Sequence, residues 1–217
     1  MKSKKAIFLM WFFALLPFVL VALAWPYLPE KVPTHWGFDG KVDGYGPPAT
    51  LWVLCALNIP LVLLFQFLPR LDPKKENYEK FQSLYDFVGP LIPLIMLFCI
   101  AIILSESLWP GRINVSRTLG LVLGVLFIIL GNLMGKVKTN WFMGFRTPWA
   151  LSDPDVWNKT QRMGGWTIFL AGLAAVILSL LAPETVLFIV FFAILIIGSA
   201  LTCFMSWKWY KEKQSRE

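Results

Sequence analysis

Arg146 carries the most concentrated chemistry in the chain, inside the string Gly144-Phe145-Arg146-Thr147-Pro148-Trp149. A guanidinium framed by aromatic rings can clamp a phosphate or a carboxylate through two parallel hydrogen bonds. It can equally snorkel as a lipid anchor, or pair with Asp153 or Asp155 a few residues on. The residue types alone leave these readings open. The second candidate is His35, the one histidine, in Pro33-Thr34-His35-Trp36 with Asp39 and Asp43 close by. One imidazole and two carboxylates lack the further nitrogen or sulfur ligands of a metal centre, so a hydrogen-bonded structural histidine is expected and no metal. No helical His-Glu-x-x-His pair, Gly-Lys-Ser/Thr phosphate loop or nucleophile elbow occurs, and the expectation is a non-enzyme without cofactor.

These residues must be held by apolar elements. The chain is 57% hydrophobic with a mean hydropathy of +0.64, and has eighteen Phe and eleven Trp in 217 residues. Six apolar runs stand out, near Ala6–Trp25, Leu51–Leu68, Phe87–Leu104, Thr118–Met134, Trp166–Ala182 and Val186–Met205. At about 17–20 residues and ~1.5 Å of rise per residue, each is just long enough to cross a hydrocarbon core about 30 Å thick. They lack the in/out alternation of barrel strands. The predicted fold is therefore all-α: a polytopic membrane bundle of six helices with no separate soluble domain, residues 1–217 forming one integral membrane domain. The first run starts with lysines and ends in Ala22-Leu23-Ala24, like a cleaved signal. It is longer than the usual 7–15-residue apolar core and contains Trp11 and Pro17, so it is read as a retained span.

Charge sets the orientation. Lys2, Lys4, Lys5, Arg70, Lys74, Lys75, Lys80, Lys136, Lys138, Arg146, Lys159, Arg162, Lys208, Lys211, Lys213 and Arg216 all fall on one side of the six runs; only Lys31, Lys41, Arg112 and Arg117 fall on the other. Basic residues are retained in the cytoplasm, which predicts both termini inside. The net charge of +7 is then a match for anionic inner-leaflet lipid and not a nucleic-acid footprint. Cys55, Cys99 and Cys203 lie inside runs, and an odd number there argues against a disulfide framework.

Three connections are informative. The outer one, Pro26 to Pro48, is dense in Pro and Gly and predicts a compact irregular loop. The first long inner one contains Asp72-Pro73, a helix start, with Tyr78, Phe81 and Tyr85 on one face; this predicts a short amphipathic helix on the membrane surface. In the second, Trp141, Trp149 and Trp157 recur every eight residues, which suits indoles at the headgroup layer. Ser152-Asp153-Pro154-Asp155 there reads as a helix start, with a stop or bend at Gly164-Gly165. Polar residues within spans are sparse: Asn58, Gln66, Glu106 and Asn132. A small-solute or ion-coupled transporter, with Pro60, Pro90 and Pro93 as helix breaks, is the competing class, although it would want ionisable groups near the midplane.

Gly131-Asn132-x-Met134, Gly144-x-Arg146-Thr147-Pro148-Trp149-x-Leu151, Val156-Trp157 and Arg162 resemble the signature of the SdpI-type bacterial membrane proteins. Pro33-x-His35-Trp36-x-x-x-Gly40-x-x-Asp43 resembles the uncharacterised N-terminal domain that accompanies that signature. The two regions, about 1–70 and 117–210, cover most of the chain. The resemblance implies a multi-pass plasma-membrane protein of a bacterium or archaeon that shields its cell from a secreted peptide toxin. It further implies a signalling role, in which the occupied protein captures a cytoplasmic autorepressor. On that basis Asn132, Gly144, Arg146, Thr147, Pro148, Trp149, Trp157 and Arg162 are expected to shape an inner-face site, and His35, Trp36, Gly40 and Asp43 the outer loop.

Overall fold

The computed structural model describes residues 2–37 and 39–216. Among the described residues, six helical stretches are long and apolar enough to cross a membrane: Lys4–Tyr27, Ala49–Leu71, Lys75–Leu108, Val115–Met134, Pro154–Leu181 and Glu184–Gln214. Phe8, Leu23, Trp166, Leu181, Ile189 and Ile196 are all more than 60% exposed on them. Rows of bare apolar side chains are costly in water and cost nothing in lipid, so the chain is a polytopic helical membrane protein. Apart from Ala182, the expected runs sit on these helices; the third and fifth helices begin twelve residues earlier than expected and the sixth ends nine residues later.

The chain divides into two compact units, Met1–Phe67 with Tyr85–Thr118, and Leu68–Leu84 with Leu119–Glu217. The first is built on helices α1 (Lys4–Ala24), α2 (Ala49–Leu71) and α4 (Leu91–Leu108), with α3 (Gln82–Val88) leading into α4. Ser3 caps α1 by accepting the Ala6 N–H at 3.3 Å, and the Asp86 carboxylate accepts the Ser3 N–H at 3.0 Å. Between α1 and α2 the expected irregular loop is instead a β-hairpin. Strands β1 (Val32–Trp36) and β2 (Val42–Gly46) pair antiparallel, Val32 opposite Gly46 and Trp36 opposite Val42. Its anchor is hydrophobic: Val32 is fully buried in a cluster with Val21, Leu51, Cys55 and Ile100, and Trp36 packs on the same cluster. Pro33 is tolerated because a two-stranded ribbon leaves an edge free of ladder bonds.

The second unit is built on α5 (Val115–Met134), α6 (Pro148–Ser152), α7 (Pro154–Leu181) and α8 (Glu184–Gln214). α5 and α7 cross in direct backbone contact. A Cβ on Gly131 would lie 2.5 Å from the Phe169 amide nitrogen, and one on Gly165 would lie 2.7 Å from the Gly131 carbonyl oxygen. Seven residues away on each helix the arrangement repeats, with a Gly172 Cβ 2.6 Å from the Gly124 oxygen. Lipid gives helices no hydrophobic reason to associate, so close approach at small residues supplies the packing instead. This corrects the expected break at Gly164-Gly165: α7 runs unbroken through both, and they are there to admit neighbours. Ala171, Ala175, Leu187 and Phe191 fill the α7–α8 contact.

The surface helix expected after Asp72 is also corrected. The chain forms a 3-10 stretch at Lys75–Phe81 before α3. Tyr78, Phe81 and Tyr85 are 2%, 3% and 0% exposed, so they pack on protein and not on a membrane surface. The Tyr85 ring stacks on Phe65 with centroids 4.3 Å apart, and its hydroxyl donates to the Phe65 carbonyl. Asp72 keeps its expected capping role, accepting the Lys74 N–H at 2.7 Å.

Candidate functional site

Residues 135–153, between α5 and α7, form an ordered platform whose backbone is satisfied by buried side chains. Asn140 is fully buried and organises the first turn. Its Oδ1 accepts the N–H groups of Phe142 at 2.8 Å and Met143 at 2.6 Å, while its Nδ2 donates to the carbonyls of Lys138 at 2.9 Å and Met143 at 3.1 Å. The Asp72 carboxylate, 2% exposed, accepts the Trp141 N–H at 2.8 Å and the Tyr78 hydroxyl at 2.9 Å. Asn77 donates to the Thr139 carbonyl at 2.8 Å, and Lys74 to the Leu151 carbonyl at 2.7 Å. Apart from the Tyr78–Asp72 bond, each of these gives a backbone N–H or carbonyl of the platform a side-chain partner.

Gln161 holds the second half. It projects from α7, fully buried, and grips Phe145 at two points: its Oε1 accepts the Phe145 N–H at 3.0 Å and its Nε2 donates to the Phe145 carbonyl at 2.9 Å. The amide thus acts as a one-residue strand partner. Gly144 is required beside it. Its φ is +99°, a region that L side chains rarely adopt, and a Cβ there would lie 2.3 Å from the Gln161 oxygen. The Phe145 ring in turn lies against Gly164, where a Cβ would come within 2.2 Å of it.

Thr147 caps α6, accepting the Ala150 N–H at 3.1 Å, and bonds the Ser206 hydroxyl of α8. Pro148 occupies the first turn of α6, where its missing N–H costs nothing. Asp153 caps α7 by accepting the N–H groups of Asp155 at 2.7 Å and Val156 at 3.1 Å. Lys213 near the end of α8 closes the structure, 2.7 Å from Asp153 and 2.9 Å from Asp155. That lysine, with the helix N–H groups, holds the Asp153 carboxyl below its usual range, so the clamp is intact at neutral pH.

The sequence-predicted residues divide by role. Arg146 is exposed on the platform and donates to the Trp141 carbonyl at 2.7 Å. Of the readings left open, a pairing of Arg146 with Asp153 or Asp155 is not seen among the described residues; Lys213 pairs with both acids. Trp149 is half-buried. Trp157, read from its spacing as an interfacial indole, is fully buried and donates to the Val137 carbonyl at 2.8 Å. Replacing Trp157 by Phe is expected to cost about 1–3 kcal/mol, and by Ala about 3–5, as read from unfolding midpoints in detergent. Asn132 is exposed; the neighbouring Gly131 makes the crossing, and Asn132 and Arg162 line a shallow cleft there. His35, Trp36, Gly40 and Asp43 belong to the hairpin of the other unit. His35 Nδ1 bonds the Asp43 carboxylate across the strands, with the side chains 73% and 53% exposed. Gly40 takes φ +77° in the turn.

Of the residues that build the platform, Asp72 was read from the sequence only as a helix cap, and Asn140 and Gln161 were not singled out. Gln161 had a readable signal: Trp157, Thr160, Gln161, Gly164 and Gly165 form one buried stripe on α7, and a polar residue inside such a stripe must find partners. Asn140 had none, since its four bonds are local to an irregular turn.

Residues 136–206 match the model of the SdpI/YfhL protein family, and residues 12–59 match a domain of unknown function, DUF1648. The chain is 25% identical over 197 residues to the immunity protein SdpI of Bacillus subtilis (strain 168), covering 91% of this chain and 92% of that protein. No solved structure matches it. The first match covers the platform, α6, α7 and most of α8; the second covers most of α1, the hairpin and the start of α2. Residues 136–206 are thus similar to the SdpI/YfhL family and residues 12–59 to the DUF1648 domain, in a multi-pass helical membrane protein that resembles an immunity protein along most of its length.

Proposed function

We propose that this protein confers immunity on its own cell against a secreted, membrane-active peptide toxin, without catalysis. The observation that carries this is the 25% identity to an immunity protein along 91% of the chain, a likeness of the whole molecule and not of one segment. The proposed orientation is both termini in the cytoplasm, supported by the charge asymmetry of the connections. In that orientation the hairpin with His35, Trp36, Gly40 and Asp43 faces outward, toward an arriving toxin, and the platform faces the cytoplasm.

The platform has the character of a preformed protein-docking surface. Its backbone is tied internally, while Arg146, Trp141 and Phe142 are exposed on it. A guanidinium between aromatic rings is a common energetic centre of protein interfaces, which fits capture of a cytoplasmic autorepressor. Thr147 and Pro148 begin α6 directly after Arg146, with Trp149 following; Gln161 grips the Phe145 backbone just before it and Trp157 ties the Val137 carbonyl, while Asn132 and Arg162 line a separate cleft at the α5–α7 crossing. A signal from toxin to repressor then requires that the repressor bind the toxin-occupied state more tightly than the empty one.

The test is survival of a toxin-sensitive bacterium that expresses the chain, under challenge with the toxin. Wild type is expected to protect. Arg146→Ala is expected to leave membrane levels unchanged and to reduce repressor capture about tenfold or more, the loss of one interface centre worth ~2 kcal/mol. Absence of protection by correctly inserted wild type overturns the immunity reading; gradient-driven solute accumulation would replace it with a transporter.

A further inference from the structure

The ends of α7 and α8 enclose an open cleft of about 450 Å³ whose wall includes Lys159, Arg162, Trp209, Glu212, Lys213 and Arg216. Its charge is not balanced. Lys213 is committed to Asp153 and Asp155, at 2.7 and 2.9 Å. Glu212 is approached by Lys208 at 3.9 Å. Lys159 stands 5.9 Å over the Trp209 ring. Among the described residues, no carboxylate lies within ion-pair distance of Lys159, Arg162 or Arg216. The acids of the cleft are spent and three cations are not.

Arg162 also lines a second hollow of about 270 Å³, floored by Gly131, Gly165, Trp166 and Phe169. Apart from Asn132 and Arg162 at its edge, the lining is glycine backbone and aromatic ring. Trp166, one turn beyond Arg162, is 64% exposed, and α7 carries no further charged residue from there to Leu181. Arg162 therefore marks the level at which the polar cap of the helix meets the hydrocarbon. A charged mouth on one side of it and an apolar trough on the other suit a ligand with an anionic head and a long apolar tail. A free anion would leave the trough unused, and an acidic peptide would have no chain to lay in it.

We propose that this pair of clefts is a binding site for an anionic phospholipid, its phosphate held by Lys159, Arg162 and Arg216 and one acyl chain lying along Trp166 and Phe169. Guanidinium groups match phosphate oxygens in geometry and keep their charge at the headgroup layer. The site is independent of Arg146 and of the immunity reading.

Native mass spectrometry of the full-length protein in detergent, supplied with phosphatidylglycerol, phosphatidylcholine or inorganic phosphate, tests it. The expected result is one retained phosphatidylglycerol, with phosphatidylcholine retained about tenfold less. The double variant Arg162→Gln with Arg216→Gln is expected to lose that phosphatidylglycerol while keeping the wild-type unfolding midpoint. Lys31→Gln with Lys41→Gln, which removes as much charge from the hairpin region, is expected to keep it. Trp166→Ala is expected to weaken retention of long-chain lipid alone. Equal retention in the Arg162/Arg216 variant, or equal loss in the Lys31/Lys41 variant, would overturn the proposal. So would displacement of the lipid by millimolar inorganic phosphate, which would mark a phosphate site and not a lipid site.

Discussion

Gly131→Leu is expected to cost at least about 3 kcal/mol and to leave little folded protein in the membrane. At this position α5 and α7 touch backbone to backbone: the first carbon of any side chain would sit 2.5 Å from the Phe169 nitrogen and 2.7 Å from the Gly165 oxygen. No rotamer relieves such a contact, because the obstacle is main chain on a helix that cannot bend locally. The helices must separate, and with them goes the Gly124–Gly172 contact on the same seam. The platform would fail next, since Trp157, Gln161 and Gly164 reach it from α7. Gly135→Ala is the matched control. Its Cβ would meet only the Arg162 Cγ, at 3.5 Å, an ordinary contact. Unfolding midpoints in one detergent should drop steeply for Gly131→Leu and stay near wild type for Gly135→Ala. Near-equal midpoints would mean that the crossing is not where the second unit gets its packing.

Gln161→Leu is expected to release the Gly144–Trp149 string at a cost of about 2–4 kcal/mol, since it orphans both the N–H and the carbonyl of Phe145. Leucine fills a similar volume, so the loss is of hydrogen bonding more than of packing. Gln161→Glu should fall between, because a carboxylate still accepts from the Phe145 N–H but offers nothing to its carbonyl. Hydrogen exchange gives the cleanest reading: protection at Phe145 and the following amides should collapse in Gln161→Leu while α7 and α8 retain theirs. If the two-point grip sets the height of Arg146, repressor capture should fall in Gln161→Leu about as far as in Arg146→Ala. Capture at wild-type strength with the string released would separate Arg146 from its scaffold.

What the chain discloses before folding follows from which forces act locally. Six spans are legible because lipid tolerates only long apolar helices, and composition reports that directly. Asp153-Pro154 is legible because capping is a four-residue affair. The hairpin was hidden: Gly and Pro density signals a turn, yet the burial of Val32 against α1, α2 and α4, which pins the strands, depends on residues up to about seventy positions away. Gly164-Gly165 was misread for the same reason. A glycine pair weakens an isolated helix, while a helix with a neighbour needs it for close approach. The Trp period of eight pointed to an interface for all three indoles, but only the structure separates exposed Trp141 from buried Trp157. At the site, the motif gave the exposed residues Arg146 and Pro148, whereas the buried amide Asn140 carries no local pattern and Gln161 shows only as a polar residue within the buried stripe of α7.

The proposed function puts the working surface on the cytoplasmic side, and two-sided thiol labelling of an Arg146→Cys protein, with Cys55, Cys99 and Cys203 replaced by serine or alanine, tests it most directly. A membrane-impermeant maleimide should label that cysteine in inverted vesicles and leave it untouched in intact cells, while an Asp43→Cys protein in the hairpin should show the reverse. Labelling of position 146 in intact cells would invert the topology, place the platform outside, and remove any route by which it could hold a cytoplasmic partner.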